Sequence, residues 1–321
     1  METRQALITN DLQGTWISWL GSPIRYTALS TDTGGRYAFS IGRVPVGVGP
    51  KPHRHSFEEA FFVLRGELSF TAGNETVIVS ANGCIAIGAG TAHFFKNASS
   101  IEAEVIILVA PAGFDEFQAE VGGKLEGPDA PISFDPPSFI ARMMSAAPKY
   151  GIDLNPPASA FEEPPNIKVT MPSEGRTMAV VGDVYRFMAT GDDTNGKYAF
   201  WEAIVPPGGG PPPHVHSREE EGFYILEGEI TFLIGEKRVV ATAGTFANMP
   251  VGTPHSFKNE SDKPARMLIV VAPAGLENMF FEVGMPLDDG ATTALPPTKA
   301  EIEKLIAVAP RYGIELRLPG H

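Results

Sequence analysis

The 321-residue sequence holds a single cysteine, Cys84. One cysteine cannot close an intrachain disulfide, which excludes an oxidatively stapled scaffold, favours an intracellular, cytoplasmic setting and leaves Cys84 as a core residue. Positive charge is also short, since 25 lysines and arginines face 38 aspartates and glutamates for a net charge of −13. A field of that sign repels phosphate backbones and anionic lipid, so neither nucleic acid nor a membrane surface is an expected partner. Long apolar runs are missing too. Val105 to Ala110 and Met267 to Ala272 are the longest, far below the roughly 20 residues that a membrane-spanning helix needs. Met1 to Leu20 carries Glu2 and Asp11 and shows no cationic stretch leading into an apolar one, so no secretion signal is expected.

Glycine and proline are plentiful, 34 and 29 residues. Both interrupt helices and punctuate hairpins, so the composition predicts mostly short strands. With 43% hydrophobic residues and about 150 residues to a typical domain, two cores are expected.

The chain repeats itself. Gly35-Arg-Tyr-Ala-Phe39 returns as Gly196-Lys-Tyr-Ala-Phe200, His53-Arg-His55 as His214-Val-His216, and His93-Phe-Phe-Lys-Asn97 as His255-Ser-Phe-Lys-Asn259. Ala110-Pro-Ala-Gly113 and Ala147-Pro-Lys-Tyr-Gly-Ile152 also recur, as Ala272-Pro-Ala-Gly275 and Ala309-Pro-Arg-Tyr-Gly-Ile314. The offset is 161 at first and 162 after the His-x-His pair, so one residue was gained there. Solenoid repeats run at roughly 20 to 50 residues, so this period marks a duplicated domain. The expected domains are 1–160 and 161–321, joined by the Pro-rich stretch Asn155 to Pro165 as a stiff linker or wrapping arm.

Within the first unit, Arg36 to Val44, Ala60 to Leu64, Glu67 to Thr71, Thr76 to Val79 and Glu104 to Val109 are short apolar or alternating runs bounded by turn residues such as Gly66 and Gly73-Asn74. Strands at this spacing without intervening helices predict an antiparallel sandwich or barrel. Helices are expected only at the end of each unit. Ile140, Met143, Met144 and Ala147, and likewise Ile302, Leu305, Ile306 and Ala309, keep the spacing of an apolar face, and Thr298-Lys-Ala-Glu301 reads as a capping box.

Six of the seven histidines are His53, His55, His93, His214, His216 and His255, three at matching positions in each unit; the seventh, His321, is the terminal residue. A lone histidine is most simply structural, but an identical trio in both copies implies a shared task. Side chains alternate along a strand, so His53 and His55 project to one side roughly 7 Å apart. Glu59 and Glu221 each precede a strand-ending glycine, Gly66 and Gly228, by seven residues, which distinguishes them from Glu58, Glu219 and Glu220. The turns Gly90-Thr-Ala-His93 and Gly252-Thr-Pro-His255 aim a third histidine at the same place. Three imidazoles and one carboxylate suit a divalent transition metal with one or two open positions, one ion per domain: iron, manganese, nickel, cobalt or copper, with zinc less suited.

These residues resemble the cupin superfamily, whose first motif is Gly-x5-His-x-His-x3-4-Glu-x6-Gly and whose second is Gly-x5-Pro-x-Gly-x2-His-x3-Asn. The first motif is complete in both units, as Gly47, His53, His55, Glu59, Gly66 and as Gly208, His214, His216, Glu221, Gly228. The second is complete as Gly244, Pro250, Gly252, His255, Asn259; the other unit keeps Gly90, His93 and Asn97 but has Gly88 in place of proline, and its leading Gly83 is one residue too close. The two-unit length is most similar to the bicupins related to quercetin 2,3-dioxygenase. The resemblance implies an all-β chain of two tandem cupin domains, each a conical β-barrel or jelly roll with short C-terminal helices. It implies metal ligation by His53, His55, Glu59 and His93, and by His214, His216, Glu221 and His255. It further implies dioxygenase cleavage of a flavonol-like phenol or enol by molecular oxygen, with Glu59 and Glu221 as the catalytic bases.

The expected partners are therefore a small aromatic substrate and oxygen, and a homodimer is compatible with the sequence. Phe61, Phe95, Phe223, Phe246 and Phe257, close in sequence to the ligands, serve equally as pocket walls or as barrel core. Asp192-Asp193, Asp288-Asp289, Glu219 and Glu220 read as solvated charges. Two competing functions keep the same fold. One is a non-oxidative isomerase, cyclase or lyase, or an oxalate-decarboxylase-like bicupin; the other is a binding or storage protein, disfavoured because no ligand is lost. Oxalate, a dianion, needs cationic pocket residues that the flanking strands lack.

Overall fold

A computed structural model of the chain describes residues 4–11 and 13–317; His321 lies outside the described residues. Contacts divide the chain into an N-terminal unit, Gly14–Pro172 with Asp193–Asn195, and a C-terminal unit, Met1–Gln13, Ser173–Asp192 and Gly196–His321. This division departs from the repeat boundary near residue 160 because of two arms. The strand Leu7–Thr9 pairs with Phe246–Met249 within the C-terminal unit, and the strand Ile167–Thr170, which follows the Pro-rich stretch, pairs with Cys84–Ile87 within the N-terminal unit.

The chain is mostly β. Among the described residues, the larger sheet of the N-terminal unit has eight strands in the order Lys124–Leu125, Thr15–Trp19, Ser22–Ala28, Ala38–Val44, Ala103–Ala110, Glu58–Arg65, Cys84–Ile87 and Ile167–Thr170. A second sheet joins His93–Lys96, Glu67–Ala72 and Glu75–Ser80. The C-terminal unit repeats the plan. Its larger sheet runs Leu7–Thr9, Phe246–Met249, Glu220–Glu227, Ala265–Ala272, Ala199–Val205, Asp183–Ala189, Thr177–Val180 and Met285–Leu287, and its smaller one Lys237–Thr242, Glu229–Ile234, His255–Lys258, His214–His216 and Ile314–Leu316. The pairings are antiparallel. Each apolar run expected as a strand overlaps one.

Alternation explains the inner faces. In Glu67–Ala72, Leu68, Phe70 and Ala72 are buried while their neighbours are half-exposed. Phe61, Phe70 and Phe95 pack ring to ring at 5.0–5.4 Å in the N-terminal unit, and Phe223, Phe232 and Phe257 at 5.1–6.4 Å in the C-terminal one. Each of these rings that is fully buried stabilises its unit by roughly 1.5–3 kcal/mol, and the half-buried Phe95 by less. Cys84 is core, as expected. The glycines that close the first motif have a steric reason. Gly66 and Gly228 sit at φ 78° and 75°, and a Cβ on either would stand 3.1 Å from the Cα of Ala103 or Ala265.

The helices correct two expectations. They do not come only at the ends of units, because α1 (Phe114–Gly122) and α3 (Glu277–Val283) follow the Ala-Pro-Ala-Gly turns. The closing helices α2 (Pro136–Ala146) and α4 (Lys299–Val308) turn only half of the expected face inward, since Ala147 and Ala309 just beyond them are buried and Met143 and Leu305 pack against the core. Phe139 and Ala146 are buried in α2 and Val308 in α4, whereas Ile140, Met144, Ile302 and Ile306 are exposed. The capping box at Thr298 and Glu301 is present in full. Among the described residues no helix is long and apolar enough to cross a membrane.

Candidate metal centres

Backbone register brings the histidines together. His53 and His93 form an isolated antiparallel bridge, each donating its N–H to the other's carbonyl at 3.0 and 2.8 Å. His214 and His255 face each other in the same way. The glutamates arrive on the next long strand, Glu59 in Glu58–Arg65 and Glu221 in Glu220–Glu227. The result is two clusters, His53, His55, Glu59, His93 and His214, His216, Glu221, His255, with the four donor atoms in each within 4.8 Å of one another. Every sequence-predicted ligand is in one of the two.

Glu59 Oε2 lies 3.1 Å from His55 Nε2 and 3.4 Å from His93 Nε2. Glu221 Oε2 lies 3.1 Å from His216 Nε2 and 3.0 Å from His255 Nε2. Five of the six imidazoles have Nδ1 at 2.8–2.9 Å from a backbone carbonyl, those of Lys51, Phe57, Thr91, Pro212 and Thr253. A carbonyl only accepts, so each of these Nδ1 atoms carries a hydrogen and Nε2 is the atom that each ring turns toward the cluster. The sixth, His216, has Nδ1 at 3.4 Å from Glu219 Oε2.

Charge follows burial. Desolvation, reinforced by the neighbouring His93 or by His255 and His216, lowers His53 and His214 to about 3, which keeps both rings neutral at pH 7. Burial alone would raise Glu59 and Glu221, yet their histidine partners hold both carboxyls well below the usual carboxylate range. Burial would likewise lower His216, but the carboxylates of Glu221 and Glu219 outweigh it and raise this ring to about 9. A cation at the centre therefore displaces that proton.

A divalent metal fits these residues. His93 Nε2 is buried without a hydrogen-bond partner, and His214 Nε2 lies 3.1 Å from His216 Nε2. Metal–nitrogen bonds of about 2.1 Å put ligand atoms roughly 3–4 Å apart, and an ion between the rings satisfies the orphaned lone pair. The chain thus has two His/Glu metal-binding clusters, one in each unit.

The comparisons agree. The cupin domain family matches residues 40–109 and 201–271. The chain carries the cupin domain twice. This bicupin is 30% identical over 77 residues to quercetin 2,3-dioxygenase of Bacillus subtilis, covering 24% of this chain and 23% of that protein. It is 24% identical over 136 residues to the quercetin 2,3-dioxygenase of Aspergillus japonicus, covering 40% and 39%. The matched segments thus span well under half the length of both relatives. Among solved structures, Lactobacillus farciminis oxalate decarboxylase in complex with formate superimposes with a TM-score of 0.57 at 14% identity, over 86% of this chain and 88% of that one. At that identity the likeness concerns the fold alone.

Several polar residues near the clusters differ from expectation. Glu219 and Glu220 are not solvated charges, for both are buried. Glu219 supports His216, and Glu220 accepts hydrogen bonds from Arg4 and from Asn248 Nδ2. Glu58 is buried in the same manner and accepts from Asn195 Nδ2 at 2.8 Å and from the Ala89 N–H at 3.2 Å. The signal in the sequence was strand parity, since residues beside an inward-facing ligand lie on the opposite face of a strand that is covered on both sides. The phenylalanines are mainly core: Phe61, Phe223, Phe246 and Phe257 are buried in the clusters described above or beside them, and Phe257 also lines the cavity at the C-terminal centre. Phe57 stacks on His55, with ring centroids 3.8 Å apart and planes within 6°. Asp288 and Asp289 are exposed, as is Asp192.

Proposed function

We propose that this bicupin is a metal-dependent oxidoreductase that reacts a phenolic or enolic compound with molecular oxygen. The metal ligands are His53, His55, Glu59 and His93 in one centre and His214, His216, Glu221 and His255 in the other, with Glu59 and Glu221 as the bases. One observation carries the reading: Glu221 is an ionised, buried carboxylate on the wall of a cavity of about 80 Å³ that is otherwise largely apolar, lined also by His214, His216, Phe257, Ile269 and Leu276. When bound there, a divalent metal supplies Lewis acidity for a substrate oxygen and open positions for substrate or oxygen. The base must touch both the ligand sphere and the substrate hydroxyl, and the Oε2 shared by two imidazoles leaves the second carboxylate oxygen to take that proton. Apolar walls exclude water and favour a flat, weakly charged substrate.

The cavity also bears on which substrate enters. Its volume is well below the roughly 300 Å³ at which pockets for drug-sized ligands begin, so the closed cavity takes a single ring or compact enol, and a three-ring flavonol requires the wall to open. No lysine or arginine lines it, which disfavours the oxalate dianion and with it a decarboxylase reading. An intracellular setting belongs to the same proposal and rests on the single buried Cys84.

Oxygen uptake tests the reading. Metal-loaded protein consumes oxygen with catechol or a flavonol, and Glu221→Gln lowers the rate by 10²-fold or more, the range of a lost general base. Turnover that continues unchanged without oxygen would instead establish a non-oxidative isomerase or lyase.

A further inference from the structure

The strand Asp183–Ala189 opens with two polar side chains that the ligand set does not use. Asp183 and Tyr185, two residues apart and so on one face, are both buried and both line the cavity that holds His214, His216 and Glu221. Tyr185 Oη donates to Asp183 Oδ2 at 3.2 Å. The Gly210 N–H approaches the same carboxyl group, yet Oδ1 is buried with no hydrogen-bond partner. An unsatisfied buried oxygen costs about 1–3 kcal/mol, which a purely structural residue has no reason to retain. The duplicated half shows the alternative, because the matching positions at the start of Ser22–Ala28 are Ser22 and Ile24. Both strands occupy the same place in their sheets, so the carboxyl–phenol pair is a property of the C-terminal unit and is dispensable for the fold.

We propose that Asp183 and Tyr185 bind a hydroxyl group of the substrate from the side of the cavity opposite in role to Glu221, making the C-terminal centre specific for small phenols or enols with two oxygen functions. One oxygen meets the metal ligands and Glu221; the other meets Asp183 Oδ1 and the Tyr185 phenol. Burial raises the Asp183 carboxyl to about 7, which lets it donate to or accept from that hydroxyl near neutrality. Two carboxyls on walls without a lysine or arginine further disfavour a dianionic ligand. The inference rests on the reading that this cavity receives an oxygen-bearing aromatic or enol.

Equilibrium binding of catechol and of quercetin to metal-loaded full-length protein, without oxygen, tests it. Asp183→Leu and Tyr185→Phe each raise the Kd for catechol at least tenfold with metal content unchanged, Asp183→Asn, which keeps an acceptor, falls between them and wild type, and Ser22→Ala leaves the Kd as it was. Should Asp183→Leu fail to fold, Tyr185→Phe decides alone. Kd values within twofold of wild type in the folded variants would overturn the assignment even if oxygen uptake proceeds. Weakened binding in a protein that consumes no oxygen would sustain the pair and remove the dioxygenase reading. A wild type that binds neither phenol overturns both.

Discussion

Arg4 grips both oxygens of Glu220, its guanidinium nitrogens standing 2.5 and 2.7 Å from Oε1 and Oε2. The carboxylate is fully buried and immediately precedes Glu221. Asn248 Nδ2 and the Val251 N–H complete its shell at 2.8 and 3.3 Å. Arg4 lies just before the strand Leu7–Thr9, which pairs with the strand carrying Asn248, so the arm and the strand that bears the metal base are fastened at one point.

Removing the guanidinium leaves a buried charge with only neutral donors. Breaking a buried pair costs about 3–5 kcal/mol; because Arg4 is one-third exposed, Arg4→Ala is expected to destabilise the C-terminal unit by about 2 kcal/mol. Urea unfolding followed by Trp201 fluorescence, with Trp16 and Trp19 replaced by phenylalanine, measures it. An unchanged midpoint would show that the arm carries no stability.

The asparagine that ends the second motif is a turn builder. Asn259 Nδ2 donates to the carbonyls of Val205 and Lys263 at 2.8 and 2.7 Å, and its Oδ1 accepts from Ser261 N and Oγ. Asn97 repeats this with Val44, Ile101 and Ser99. Asn259→Ala or Asn97→Ala takes a donor from the buried carbonyl of Val205 or Val44 and should cost about 1–3 kcal/mol in its own unit, read by chemical denaturation. A loss below about 0.5 kcal/mol, the scale of an ordinary surface change, would contradict this role.

Stability should depend on Asp183 and pH. Its folded-state carboxyl is raised to about 7 from the usual 3.8. Below the unfolded value both states hold the proton and no penalty exists; as pH rises from about 4 to about 7 the unfolded state releases it first, so stability falls through that window and levels off above it. Tyr185, Glu221, His214 and His216 share the cavity, so the comparison must be with Asp183→Asn, which lacks only this titration. Between pH 5 and 8 wild type should lose roughly 2–3 kcal/mol relative to the variant, at 1.36 kcal/mol per pH unit. Parallel profiles in urea unfolding would show that the carboxyl is not held protonated.

Much of this is legible in the sequence. The duplication, the strand runs and all eight ligands follow from spacing, because strand parity and a strand-ending glycine fix which side chains share a face. The helix faces are half legible: Met143, Ala147, Leu305 and Ala309 lie inward as their spacing predicts, but α2 has apolar residues on more than one side, so Ile140 and Met144 face outward while Phe139 and Ala146 are buried. The role of Asp183 is invisible because its cavity is closed by Gly210, His214 and Glu221, which only the fold brings near. The residue gained between His216 and Glu221 was visible, but not its effect: it replaces the Phe57 carbonyl behind His55 with the Glu219 carboxylate behind His216.

Metal stoichiometry per chain, by elemental analysis of protein purified and dialysed with a divalent transition metal, tests the central claim most directly. Wild type should hold two ions, the double variant His53→Ala, His93→Ala one, the double variant His214→Ala, His255→Ala one, and all four substitutions together none. A wild type that retains no metal, or variants that keep two ions, would contradict it.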